Sequence, residues 1–158
     1  MLTMKIRILY FLLALILGIL IFSLVSCSKN KDDRKSLNEY LTTGTWKRTA
    51  MTSDPGWDYN NDGEAETDVY AAMDPCFKDD TWTYKADGTC LYNQGADKCD
   101  PSGEQTELSD WEIIDDGKKI VLYGNVYDLL QLDANTLKFK SQFTDNNILY
   151  TEIYTYGH

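Results

Sequence analysis

Tight-turn signals recur along the chain from Thr45 onward, and they restrict it to short antiparallel strands. Asp87-Gly88, Asp116-Gly117 and Gly124-Asn125, then Asp133–Asn135 and Asp145–Asn147, separate segments rich in Tyr, Trp, Thr and β-branched residues. Gly and Asn reach the positive φ that two-residue hairpin turns require, and β-branched and aromatic side chains suit a pleated surface. The pattern predicts eight strands, at 45–52, 80–86, 89–94, 108–114, 119–123, 126–132, 136–143 and 147–156. Alternation is clearest near the end, where Leu137, Phe139 and Phe143 share one face and Lys138 and Lys140 the other. A helical turn or two over Leu37–Leu41 precedes the strands. Successive hairpins at this spacing favour an all-β, eight-stranded antiparallel up-and-down barrel or a sandwich, and closure removes the exposed edges.

An eight-stranded barrel either holds one small ligand or fills its interior with side chains. Aromatic residues are abundant on the strands. Trp82, Tyr84, Tyr92, Trp111 and Phe139 are the candidates to line an open interior for an apolar or sugar ligand. Ordinary barrel packing, with tyrosine tips in water, explains the same residues. Enzyme chemistry finds little support. The chain lacks a Gly-x-Ser-x-Gly elbow and a phosphate-cradling glycine loop, and its single histidine, His158, is the last residue and expected to fray. No histidine base is therefore placed beside a Ser or Cys nucleophile, and the expectation is a non-enzyme.

The N-terminus carries an address. Lys5 and Arg7 precede an uninterrupted apolar run from Ile8 to Phe22, followed by Ser23-Leu24-Val25-Ser26-Cys27. A basic segment, an apolar stretch and a small residue before a cut describe a signal peptide. Ile8–Val25 is also long enough to serve as an uncleaved membrane anchor. Leu24-Val25-Ser26-Cys27 resembles the lipobox of bacterial lipoproteins. That resemblance implies a signal over 1–26, diacylglycerol and fatty acyl (palmitate) attachment at Cys27, and stable membrane anchoring by several acyl chains. Ser28 in place of Asp implies delivery to the outer membrane. Residues 27–36 would then be a lipidated, charged tether, with the folded domain at 37–158. Lys31-Asp32-Asp33 resembles a short surface-export signal, and a solvated linker accounts for it equally well.

Charge narrows the partners. Residues 27–158, which exclude Lys5 and Arg7, number 132 and hold 13 basic against 25 acidic side chains, a formal charge of −12. Nucleic acid and anionic headgroups are poor partners for such a surface. Three cysteines follow Cys27: Cys76, Cys90 and Cys99. An odd number allows one bridge and one free thiol. Cys90 falls within a strand and reads as a small buried hydrophobe. Cys76 and Cys99 lie in polar, turn-rich segments, so the expected disulfide is Cys76–Cys99. The absence of a Cys-x-x-Cys pair and of any histidine but His158 argues against a zinc site.

Leu41-Thr42-Thr43-Gly44-Thr45-Trp46, Asp74-Pro75-Cys76, Asp79-Asp80, Asp87-Gly88-Thr89, Cys99 and Ser109-Asp110-Trp111 succeed one another in an order that resembles the lipocalin-like domain of small bacterial lipoproteins. The resemblance covers roughly Leu37–Tyr156. It implies a barrel whose first-strand tryptophan, Trp46, plugs the closed end. In many lipocalins an arginine of the last strand stacks on that tryptophan, and no arginine follows Arg48 here. The implied function is the binding of a small hydrophobic or glycan-derived molecule at the membrane. The alternative is an accessory subunit of a surface protein complex, with a filled barrel.

A last expectation concerns the 53–79 segment. Together with the following Asp80 it carries nine acidic residues against one base, Lys78. Asp58, Asn60 and Asp62 place oxygens at alternate positions before Gly63, as in the first half of a calcium loop. The Glu64 carbonyl would add a fourth oxygen. Val69 stands at the twelfth position, where a bidentate Glu belongs, so Glu66 or Asp68 would have to substitute. A solvated acidic loop that uses Asn-Asp-Gly only as a turn is the other reading.

Overall fold

A computed structural model describes residues 36–158. The signal, Cys27 and all of the tether but Ser36 lie outside the described residues. Ser36 belongs to the fold rather than to a tether, because it caps helix α1 (Leu37–Leu41). Its Oγ accepts from the Glu39 N–H at 3.2 Å, and the Glu39 carboxylate accepts from the Ser36 N–H at 2.6 Å. This reciprocal box satisfies two N–H groups that a helix start leaves free.

Nine strands follow: β1 Trp46–Trp57, β2 Glu66–Asp68, β3 Thr81–Tyr84, β4 Thr89–Asn93, β5 Thr106–Ile114, β6 Lys119–Leu122, β7 Asn125–Leu132, β8 Leu137–Asp145 and β9 Ile148–Gly157. Two single-turn helices, α2 (Val69–Ala72) and α3 (Pro75–Lys78), lie between β2 and β3. Strands β3 to β9 pair in sequence order, all antiparallel. Strand β1 closes the barrel, pairing with β9 along its length and with β3 at one end. The eight-stranded antiparallel up-and-down barrel expected from the turns is therefore formed by β1 and β3–β9. All eight expected strands are present.

The closing seam between β1 and β3 is only two residue pairs long, Trp46↔Trp82 and Lys47↔Thr81. Farther along, the same edge of β1 takes β2 instead, through Thr52↔Asp68 and Trp57↔Glu66. The segment between β1 and β3 is thus wedged into the seam. The turn pattern places no strand between 52 and 80, yet this segment holds the end of β1, β2, α2 and α3. Short-range signals missed it because β2 gains its ladder only from β1. The α2 helix is started by Asp68, whose carboxylate accepts from the Ala71 N–H at 3.0 Å. Val69, Met73 and Met51 form a small second core beneath α2.

The main core sits at the other end. Leu41, Trp46, Ile120 and Leu137 are fully buried there, and the Trp46 indole N–H donates to the Leu41 carbonyl at 2.8 Å. His158 is ordered rather than frayed. Its ring lies 4.0 Å from that of Trp46, and its Nδ1 sits 2.9 Å from the Thr45 carbonyl oxygen. The imidazole thus covers the Trp46 ring at the end of the last strand.

Two irregularities set which side chains point inward. A bulge at Thr49 shifts the β1–β9 register, so Trp46 and Arg48 face the interior before it, and Met51 and Ser53 after it. A second bulge in β7 turns Leu130 outward. Strands β8 and β9 run on past the barrel, which leaves Phe143 partly exposed, stacked on Tyr150 at 5.1 Å, instead of sharing the core with Leu137 and Phe139. The turn after β6 is Tyr123-Gly124, both at positive φ, one residue earlier than Gly124-Asn125.

Asp115, Asp116 and Gly117 all have positive φ. A Cβ on Gly117 would lie 2.5 Å from Leu37 Cδ1 of α1. Leu37 can turn aside, but the backbone conformation stays unfavourable for any L side chain. Gly117→Ala is expected to cost about 1–2 kcal/mol, read as a lower urea midpoint at unchanged slope.

Candidate functional site

The barrel encloses a half-open cavity of about 420 Å³. Strands supply most of its wall, because their inward positions recur every second residue. Trp82 and Tyr84 come from β3, Tyr92 from β4, Tyr127 from β7, Phe139 from β8, and Tyr154 and Tyr156 from β9. Tyr59 and Phe77 of the wedged segment, Glu107 and Tyr123 join the lining. Phe139 stacks on Tyr154 at 5.2 Å and 20°, and on Tyr156 at 5.5 Å and 19°. Of the candidates, Trp82, Tyr84, Tyr92 and Phe139 line the cavity. Trp111 does not. Its indole N–H donates to the Lys85 carbonyl at 3.0 Å and its ring meets Tyr84 edge-on, so it is a packing residue of the core.

The cavity is also charged, which the aromatic count did not foretell. Arg48 lies 5.3 Å from the Trp82 ring and 5.9 and 5.8 Å from those of Tyr154 and Tyr156. Such distances suit cation–π attraction. Burial works against its charge, but the surrounding tyrosines outweigh that and hold its pKa above the ordinary value. Asp80, 4% exposed, accepts from the Tyr92 hydroxyl at 2.8 Å. Burial raises the Asp80 pKa, although the Tyr92 bond and the Arg48 charge oppose the shift. Glu152, also buried, accepts from the Trp57 indole at 3.2 Å and from the Tyr154 hydroxyl at 2.5 Å. Burial first, and then these carboxylates, push the Tyr92 and Tyr154 phenols up, so both stay protonated donors. Sequence alternation held a signal for Arg48: it is two residues after Trp46, hence on the same face.

In the wedged segment, Asp58, Asp62 and Glu66 bring one carboxylate oxygen each within 4.8 Å of the others. Asn60 joins them, its amide donating to Asp62 at 2.9 Å. Asp58 accepts from the Asp62 and Gly63 N–H groups, and Glu66 from the Tyr59 N–H. Asp62 is held below the usual carboxylate range, chiefly by the Glu64 N–H and then by Asn60. Asp68 is engaged elsewhere, as the cap of α2, and the Glu64 main chain takes part through its N–H. The expected ligand set is therefore only partly assembled.

Cys76 of α3 and Cys99 of the β4–β5 connection form the expected disulfide. Cys90 is the free thiol, 1% exposed, and burial pushes its pKa up to about 11. Among the described residues, no helix is long and apolar enough to cross a membrane. No protein-family model matches the sequence, and no curated protein matches it.

Proposed function

We propose that this chain is a lipocalin-like, membrane-anchored lipoprotein that binds one small molecule inside its barrel without catalysis. The observation that carries the reading is the cavity of about 420 Å³, within the size range of small-molecule sites and walled by aromatic rings with a few polar groups. A filled barrel, which the accessory-subunit alternative needs, would leave no such space. Catalysis is left out because the histidine is stacked on Trp46, away from the cavity, and the Cys90 thiol is sealed in the core. Native mass spectrometry of protein purified from its own membrane tests the reading. A retained small molecule supports it, and a stoichiometric protein partner with an empty barrel supports the alternative.

Anchoring rests on the Leu24-Val25-Ser26-Cys27 sequence. Cys27→Ala is expected to abolish lipid attachment, with loss of the acyl mass and of outer-membrane fractionation. Retention of both would remove the lipoprotein reading.

Weak calcium binding at the β1–β2 turn is proposed on the convergence of Asp58, Asp62 and Glu66. With no bidentate twelfth ligand, a Kd on the order of 10⁻⁴–10⁻³ M is expected. Calorimetry with several millimolar calcium, compared with Asp58→Ala/Asp62→Ala, decides between this and a solvated turn. No heat, or the same heat in the double variant, removes the site.

A further inference from the structure

We propose that the ligand is a small amphipathic anion, with a carboxylate or sulfonate head on the Arg48 guanidinium and a flat apolar body against Trp82, Phe139 and Tyr154. This rests on the ligand-binding reading above and specifies its chemical class.

Arg48 shares the inward face of β1 with Trp46 and forms part of the cavity wall. Its hydrogen-bond partners are poor. Nη1 donates to the thioether sulfur of Met73 at 3.1 Å, a weak acceptor. The Tyr156 hydroxyl beside the guanidinium is a neutral oxygen. Nε is buried and has no partner at all. Among the described residues, Lys140–Asp128 forms a side-chain ion pair and Arg48 forms none. Of the carboxylates that line the cavity, Asp80 accepts from Tyr92 and Glu107 is exposed; Glu152, outside the lining, accepts from Trp57 and Tyr154. The cavity wall thus holds a guanidinium fork that lies in the field of Asp80 but, among the described residues, has no carboxylate in ion-pair contact.

A buried charged donor without an acceptor is destabilising, and a ligand that supplies the acceptor removes that cost. A carboxylate or sulfonate matches the planar fork and forms charge-assisted bonds, stronger than those to a neutral oxygen. The remaining wall decides the shape of the body. Phe139, Tyr154 and Tyr156 are stacked nearly parallel, and Trp82 lies edge-on to Tyr156 at 5.1 Å. Planar apolar groups fit such walls by stacking. A cationic ligand would meet Arg48, and a neutral sugar would leave the fork without an anionic partner.

The test uses a matched pair, 1-naphthaleneacetate and 1-naphthaleneacetamide, which share a body and differ in head charge. Each is titrated calorimetrically into the full chain in nonionic detergent, with empty micelles as the blank. The acetate is expected to bind at least tenfold tighter than the amide. In Arg48→Gln the tenfold advantage of the acetate over the amide is expected to disappear. Equal or tighter binding of the amide to the unaltered chain overturns the anion assignment and leaves the cavity reading standing. Binding of neither compound overturns both. Should Arg48→Gln fail to fold, the comparison on the unaltered chain still decides, and Arg48→Lys, which keeps the charge but not the fork, is expected to keep a reduced preference.

Discussion

Trp46→Ala is expected to unfold the barrel at moderate denaturant, with a loss of about 3–5 kcal/mol, the range for truncating a fully buried large aromatic side chain. The residue is fully buried and holds together three parts of the chain. Its indole N–H fixes the end of α1 through the Leu41 carbonyl, its ring carries His158 of the C-terminus, and its backbone opens the two-pair seam with β3. Truncation removes both side-chain roles and leaves the Leu41 carbonyl without its donor, a further penalty for a buried acceptor. Domains of this size have a total stability of about 5–15 kcal/mol, so the variant would stand near the folding threshold. Urea denaturation followed by far-ultraviolet circular dichroism measures the loss. A change below about 1 kcal/mol would mean that the closed end is held by α1 and β9 without the indole, contrary to the packing described.

The place of Trp46 is legible in the sequence itself, and the reason is local. Gly44-x-Trp46 stands at the start of the first strand, and Gly44 has the positive φ that its position suggests. The hairpins from β3 to β9 are legible for the same reason. Each joins strands that are neighbours in sequence, and each turn is marked by a residue that tolerates positive φ, such as Gly88, Gly117 or Asn147. What stays hidden depends on pairings between distant residues. Strand β2 is three residues long and exists because β1 offers an edge beyond its seam with β3. The cavity site divides the same way. Trp82, Tyr84, Tyr92 and Phe139 stand out by residue type, and four of the five candidate aromatics do line the space. By residue type Arg48, Asp80 and Glu152 read as surface charges. Alternation from Trp46 places Arg48 inward, whereas Asp80 and Glu152 are buried only once β1, β3 and β9 come together. Trp111 was misplaced because an aromatic on a barrel strand can face a filled end as readily as an open one.

Removal of the disulfide, as Cys76→Ser/Cys99→Ser, is expected to cost about 3 kcal/mol in the chain-entropy account for a separation of 23 residues. The constraint acts on the unfolded ensemble, so the slope of unfolding against urea should rise as the freed chain exposes more surface, along with the fall in stability. The folded state should respond unevenly. Helix α3 has four residues, none of them buried, and its noncovalent ties are slight: Lys78 donates to the Ala71 carbonyl at 3.1 Å and lies 5.2 Å from the Tyr70 ring. Without the bridge, α3 should open locally at little cost, while strands β4 to β9 keep their ladders. Phe77 sits on that helix and lines the cavity, so the opening would enlarge the cavity on that side, and loosening as far as Met73 would also release its contact with the Arg48 guanidinium. Amide hydrogen exchange distinguishes the cases. Faster exchange confined to residues 69–80 and 94–105, with unchanged protection in β5 to β9, is the expected pattern. Uniform acceleration across the barrel would mean that the bridge supports the whole fold, and no change at residues 69–80 would mean that α3 is held by its own packing.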